Sequence, residues 1–188
     1  MQSSLAKILE AYPVIAAAKD SAGVELACES SINVVFLLFG NIVSISSIVK
    51  KVKSCGKIVF VHMDLIDGLD NKEISAKYIK EFTEADGIIS TKSNVVKAAS
   101  ELNLMTVQRF FMLDSMAVEK AKKHMEFTYA DAFEILPGVI PKTIKKISSM
   151  TNIPIIAGGL IVDKNDAYSA LESGAAAIST TNSSLWNL

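Results

Sequence analysis

Eight short apolar runs, each rich in β-branched residues, alternate with stretches of helical period along the whole chain, and this leaves few folds open. The runs lie at 13–19, 34–40, 57–65, 86–91, 105–110, 132–138, 154–159 and 175–180, at intervals of roughly 20 to 30 residues. Between them stand DSAGVELACES, NIVSISSIVKKVKSCG, NKEISAKYIKEFTEA, SNVVKAASELN, SMAVEKAKKHMEF, PKTIKKISSM and DKNDAYSALESG. Strict strand–helix alternation implies parallel strands joined by right-handed crossovers. Eight such units predict a compact α/β barrel, the (β/α)8 TIM fold, rather than an open doubly wound sheet. With 188 residues against the usual ~250, the loops must be short and insertions few. No linker or low-complexity tract divides the chain, so a single domain over 1–188 is expected.

Composition supports this reading and removes others. Half the residues are hydrophobic and 21% are charged, as a parallel sheet buried on both faces requires. The longest apolar stretch, Val34–Gly40, is far below the roughly 18 residues of a membrane helix. The segment MQSSLAKILEAYP lacks the basic start and long apolar core of a secretory signal. Cys28 and Cys55 have neither metal nor redox spacing and are expected to be reduced and buried. A cytoplasmic location follows as an expectation. Net charge is −1, from 19 basic and 20 acidic residues, so composition gives no electrostatic footprint for nucleic acid. Local basic groups at Lys50–Lys57, Lys120–His124 and Lys142–Lys146 are most simply solvated helix faces.

The last thirty-five residues carry the strongest chemical signal. PIIAGGLI ends a strand on Gly158 and Gly159, and GAAAISTTNSSLW ends the next on Ser179 and Thr180. In such a barrel, the loops after strands seven and eight and a short extra helix present N–H groups to an anion. A small phosphorylated ligand is therefore expected there.

The other strand ends supply candidates for the mouth. They are Lys19, Asn41, His62, Asp64, Asp67, Lys92, Gln108, Arg109, Glu134 and Gly138. In VFVHMDLIDG, the period of two puts Phe60, His62 and Asp64 on one face, grading from apolar to polar toward the mouth. The same rule puts Ser90 and Lys92 on one face with Ile88, pointing a hydroxyl and an ammonium toward the mouth. Gln108 and Arg109 face opposite ways, so one of them points inward, and Arg suits an anion through its planar fork. Glu134, mid-strand between Phe133 and Ile135, needs a cation such as Lys92, Lys19 or Arg109. Asp114 followed by Ser115 has the pattern of a helix cap. Trp186 is expected to close the barrel wall. Zinc-ligand spacing, a Cys–His nucleophile pattern and a dinucleotide fingerprint are all missing from the sequence, so no metal, cofactor or catalytic residue is expected.

Taken together, VHMDLIDGL, GIISTKSNVVKAA, TVQRFFMLDS, EILPGVIPK, IPIIAGGLI and AISTTNSSLW resemble the glycerol-3-phosphate-responsive antiterminators of bacterial glycerol uptake operons. The resemblance runs from Pro13 to Trp186. It implies a regulator, not an enzyme, that binds glycerol-3-phosphate and then the leader mRNA of glycerol operons to favour antitermination. By position it assigns the cradle to Gly158–Gly159 and Ser179–Thr180 and the polar mouth to the candidates above. Ala16 and Ala17 depart from the proline-containing turn expected in the first strand, while Lys19 keeps the basic charge. A phosphosugar aldolase, isomerase or epimerase using the same cradle, with His62 and Asp64 or a Lys92 Schiff base, stays open as the alternative. So does assembly as a homo-oligomer.

Overall fold

The computed structural model describes residues 4–188. Its strands are β1 (Val14–Ala18), β2 (Val34–Leu37), β3 (Ile58–His62), β4 (Gly87–Ser90), β5 (Met105–Phe111), β6 (Ala132–Leu136), β7 (Ile155–Gly158) and β8 (Ala177–Thr180). All are parallel and pair in chain order, and β8 closes on β1 through Val14↔Ile178, Ile15↔Ser179 and Ala16↔Thr180. The eight helices are α1 (Ser4–Ala11), α2 (Ser21–Glu29), α3 (Ile45–Ser54), α4 (Glu73–Phe82), α5 (Ser93–Glu101), α6 (Ser115–Glu126), α7 (Pro141–Ser148) and α8 (Lys164–Glu172). The chain is a compact (β/α)8 TIM barrel, as the alternation predicted.

Local chemistry explains where the helices start. Asp20, Asp114 and Asp163 each accept the N–H three residues on, from Gly23, Ala117 and Asp166, satisfying a donor the first turn leaves open. Pro141 opens α7, where its missing N–H costs nothing.

Alternation within each strand sorts side chains into two buried layers. One fills the barrel: Ile15, Val34, Phe36, Phe60, Ile89, Val107, Ala132, Ile156 and Ala177. Phe36 and Phe60 meet edge to face there, with centroids 5.4 Å apart. The other layer lies between sheet and helices and holds Val35, Val59, Val61, Ile88, Phe133, Ile135, Ala157 and Ile178 with the inward stripes of the helices.

A feature absent from the sequence reading is α1. Its Leu5 and Leu9 are fully buried and join the interior layer beside Ile58 and Met105, residues at the strand starts. The helix therefore plugs the N-terminal end of the barrel and leaves the opposite end as the mouth.

Some local expectations are corrected. The run 57–65 stops being strand at His62 and turns into a 3-10 turn, Met63–Leu65. Asp64 therefore does not continue the face of Phe60 and His62. Its carboxylate instead accepts from Ser90 Oγ (2.6 Å), Thr91 N–H (2.8 Å) and Thr91 Oγ1 (2.6 Å). Ser90 faces the helix layer with Ile88, so the hydroxyl expected at the mouth is outside the barrel, bonded to Asp64. Cys28 and Cys55 are free but only half-buried. Burial, together with the neighbouring Cys55, pushes the Cys28 thiol up to about 11. No helix among the described residues is long and apolar enough to cross a membrane.

Candidate functional site

At the C-terminal ends of the strands, a cavity of about 310 Å³ opens between the loops after β7 and β8. Small-molecule pockets begin at about this size. Its floor is polar. Arg109 projects inward from β5 and Glu134 from β6; the two strands pair in register at these residues. The Arg109 Nε–H donates to Glu134 Oε2 at 2.6 Å, and Ser179 Oγ donates to Glu134 Oε1 at 2.6 Å. The Glu134 side chain is 1% exposed and that of Arg109 is 9% exposed. The carboxylate thus obtains the cation that burial demanded.

Gly158 makes that arrangement fit. A Cβ on this residue would sit 2.6 Å from both Glu134 Oε1 and Ser179 Oγ. Gly159 performs a different task. At φ +76° it turns the chain out of β7, and Leu160 follows at φ +61°, a conformation seldom adopted by a branched side chain. The N–H groups of Leu160, Ile161 and Thr181 have no acceptor among the described residues, and these residues line the cavity with Gly159.

The two loops are tied to each other. Thr180 Oγ1 donates to the Ile161 carbonyl at 3.0 Å, and the Asn182 amide donates to the Val162 carbonyl at 2.8 Å. Asn182 also caps the 3-10 turn Ser183–Leu185 by accepting from Ser184 N–H. Trp186 is buried in the outer wall, where its indole N–H donates to the Thr180 carbonyl. Gly138 sits behind the cavity, its N–H donating to the Gly159 carbonyl.

His62 lies on the inner face of β3, 3% exposed, and its Nδ1 has no partner among the described residues. Burial and the nearby Arg109 charge push its pKa from 6.5 down to about 4, against a smaller opposite pull from Asp64. Asp64 is held below the ordinary carboxylate range. Burial alone would raise it, but the hydrogen bonds from Ser90 and Thr91 outweigh that penalty.

The sequence candidates therefore divide. Arg109, Glu134, Gly158, Gly159, Ser179 and Thr180 converge on one cavity, with Gly138 behind it and His62 beside Arg109. Gln108 faces outward and donates to Ser93 Oγ at 2.8 Å. Lys19 and Lys92 are exposed next to helix starts and do not line the cavity. Asn41 and Asp67 form a bridge between two loops, and the Asn41 side chain is occupied by the Val43 and Ser44 N–H groups. The wall residues Ala17, Leu38, Leu136 and Leu160–Val162 were not among the candidates, nor were Thr181 and Asn182. Of these, only Asn182 carried a usable signal, as a capping residue ahead of Ser183–Leu185.

Fold and site together define a class: a (β/α)8 barrel with a small polar cavity set between its last two βα loops. Within that class the match is specific. The chain belongs to the glycerol-3-phosphate responsive antiterminator family, whose profile matches residues 14–186. It is 43% identical over 184 residues to the uncharacterized protein YgcP of Escherichia coli (strain K12), covering 98% of this chain and 96% of that one. It superposes with a TM-score of 0.89 and 33% identity on the crystal structure of the glycerol uptake operon antiterminator regulatory protein from Listeria monocytogenes, over 93% of this chain and 94% of that one. A glycerol uptake operon antiterminator-related protein from Thermotoga maritima gives a TM-score of 0.83 at 35% identity, over 93% and 98%.

Proposed function

We propose that this chain is a metabolite-gated regulator. Glycerol-3-phosphate fills the cavity, and the occupied protein binds the leader mRNA of a glycerol operon so that transcription passes the terminator. The observation that carries the ligand half is the convergence of the β7 and β8 loops on one cavity rimmed by N–H groups without intrachain acceptors. Backbone amides are suited to a dianion because they bind it through aligned dipoles without an added charge. In this reading, the phosphate rests on the amides of Leu160, Ile161 and Thr181. The glycerol hydroxyls reach the floor, where Glu134 accepts and Arg109 donates. Because Arg109 already balances Glu134, the floor is close to neutral and matches a polyol better than a second anion. His62, buried beside Arg109, is neutral above its depressed pKa of about 4 and adds no charge to the floor.

Gating requires that the ligand favour one of two protein states, since an equal affinity for both shifts nothing. Membership of a glycerol-3-phosphate responsive family supports that coupling.

Titration calorimetry tests the ligand directly. Glycerol-3-phosphate should give a saturable heat and plain glycerol none; equal heats, or none with the phosphate, contradict the assignment. Gly159→Asp should abolish the heat, because a carboxylate would occupy the anion's place. Aspartate is among the residues that tolerate positive φ best, but its Cβ would crowd Leu136 Cδ2 at 3.2 Å, so a circular dichroism spectrum matching wild type is needed to separate lost binding from a lost fold. Filter binding to a leader transcript, with and without glycerol-3-phosphate over a salt series, tests the RNA half.

The enzyme alternative has less support. No lysine lines the cavity, and Asp64 is engaged by Ser90 and Thr91 rather than by His62. Turnover of any of a panel of triose and pentose phosphates would nevertheless replace the regulator with an enzyme.

A further inference from the structure

We infer that a second cavity, between α5 and the segment leaving α6, receives one unpaired base of a single-stranded RNA. This inference rests on the regulatory reading above and adds to it a place and a chemistry. The cavity measures about 200 Å³, room for one planar ring system, and lies outside the barrel mouth.

Its walls are aromatic. Phe127 is 88% exposed and Tyr129 is 53% exposed. The backbone beneath them is anchored. Thr128 Oγ1 accepts the Ala130 N–H at 3.0 Å, and the Tyr129 carbonyl accepts from Thr106 Oγ1 at 3.0 Å. Two rings held out into solvent on alternate residues of an anchored segment bury no core. They do form the kind of platform on which bases stack.

The floor is polar. Gln108 is 2% exposed and turns its amide to the cavity, bonded on one side to Ser93 Oγ and touched on the other by Thr128. An amide and hydroxyls facing a stacked ring can meet the edge of a base. A cation lines the site. Lys97 Nζ lies 5.6 Å from the centroid of Tyr129 and 3.9 Å from Glu101 Oε1, and the exposed Lys120, Lys122 and Lys123 stand on α6 with Glu119 and Glu126. A phosphodiester running from the stacked base would find positive charge at Lys97. The combination of π-faces, a polar floor and the lining Lys97 fits an unpaired nucleotide better than an apolar peptide.

The test compares wild type, the double variant F127A/Y129A and K97Q in filter binding to the leader transcript, with glycerol-3-phosphate present. Loss of base stacking should weaken the double variant about 5- to 150-fold, on the scale known for aromatic-to-alanine changes at single strands. K97Q should flatten the slope of log K against log salt by roughly 0.7. Both variants should bind glycerol-3-phosphate like wild type by calorimetry and keep its circular dichroism, since the altered side chains are exposed and none of them lines the mouth cavity. If wild type holds the RNA and the double variant holds it within twofold, the site is refuted while the regulatory reading stands. If wild type retains no RNA at all, the regulatory reading fails and this site falls with it.

Discussion

Replacing Glu134 with alanine probes the polar floor where its energetics are most exposed to measurement. The residue is 0% exposed, and each carboxylate oxygen is engaged at 2.6 Å, one by Arg109 and one by Ser179. Alanine would leave a guanidinium almost out of water without its counter-charge and a buried hydroxyl without its acceptor. Breaking a buried pair from one side costs about 3–5 kcal/mol, and an orphaned hydroxyl about 1–3 kcal/mol. Water entering from the adjoining cavity relieves part of both, so the expected loss is about 3–4 kcal/mol, a large share of the roughly 5–15 kcal/mol of a typical domain. Urea unfolding followed by far-ultraviolet circular dichroism measures it, with an unchanged m-value confirming that the transition is comparable. The double variant R109M/E134A removes both charges and should recover much of the loss, which a double-mutant cycle reads as coupling between the two sites. A single variant within 1 kcal/mol of wild type would refute the reasoning, as would a double variant no better than the sum of its parts.

The depressed pKa of His62 implies a pH dependence of stability. Between the folded value of about 4 and the unfolded 6.5, the unfolded chain binds a proton that the native state refuses, so stability climbs with pH through that window and levels off above it. The ceiling is about 3 kcal/mol, and His62→Asn should remove it; parallel profiles for variant and wild type from pH 4.5 to 7.5 would contradict the assignment. Leu9→Ala should destabilise the fold by about 2–5 kcal/mol, because Leu9 is fully buried in the plug at the barrel's closed end. A melting curve superimposable on wild type would show that α1 does not seal the barrel.

Architecture was legible because it depends on periodicity. All eight apolar runs became strands, and the helical stretches between them became α2–α8, since the two periods differ so sharply. The site was legible where backbone geometry imposes a residue type. Gly158 and Gly159 were readable because one must admit Glu134 and Ser179 and the other takes positive φ. The need of Glu134 for a cation was also readable, and Arg109 proved to be the cation among three candidates.

What escaped depended on where strands stop. The register of β3 could not be followed past His62, because three hydrogen bonds from Ser90 and Thr91 to Asp64 reward a 3-10 turn there over another strand residue. Lys19, Lys92, Asn41 and Asp67 follow strands as ligand-facing residues would, yet their chain segments had already turned away into helix starts and a loop bridge. Helix α1 was passed over because eight residues with Leu5, Ala6 and Leu9 inside give a short stripe, easily mistaken for a terminal tail. Nothing in the sequence marks Leu160 as a residue with positive φ.

The central claim, that the loops after β7 and β8 grip a phosphate, is tested most directly by a crystal structure grown with glycerol-3-phosphate. The account predicts phosphate oxygens about 2.7–3.2 Å from the amides of Leu160, Ile161 and Thr181, with the glycerol end over Arg109 and Glu134. A ligand bound elsewhere, or one whose phosphate points to the floor and away from those amides, would contradict it.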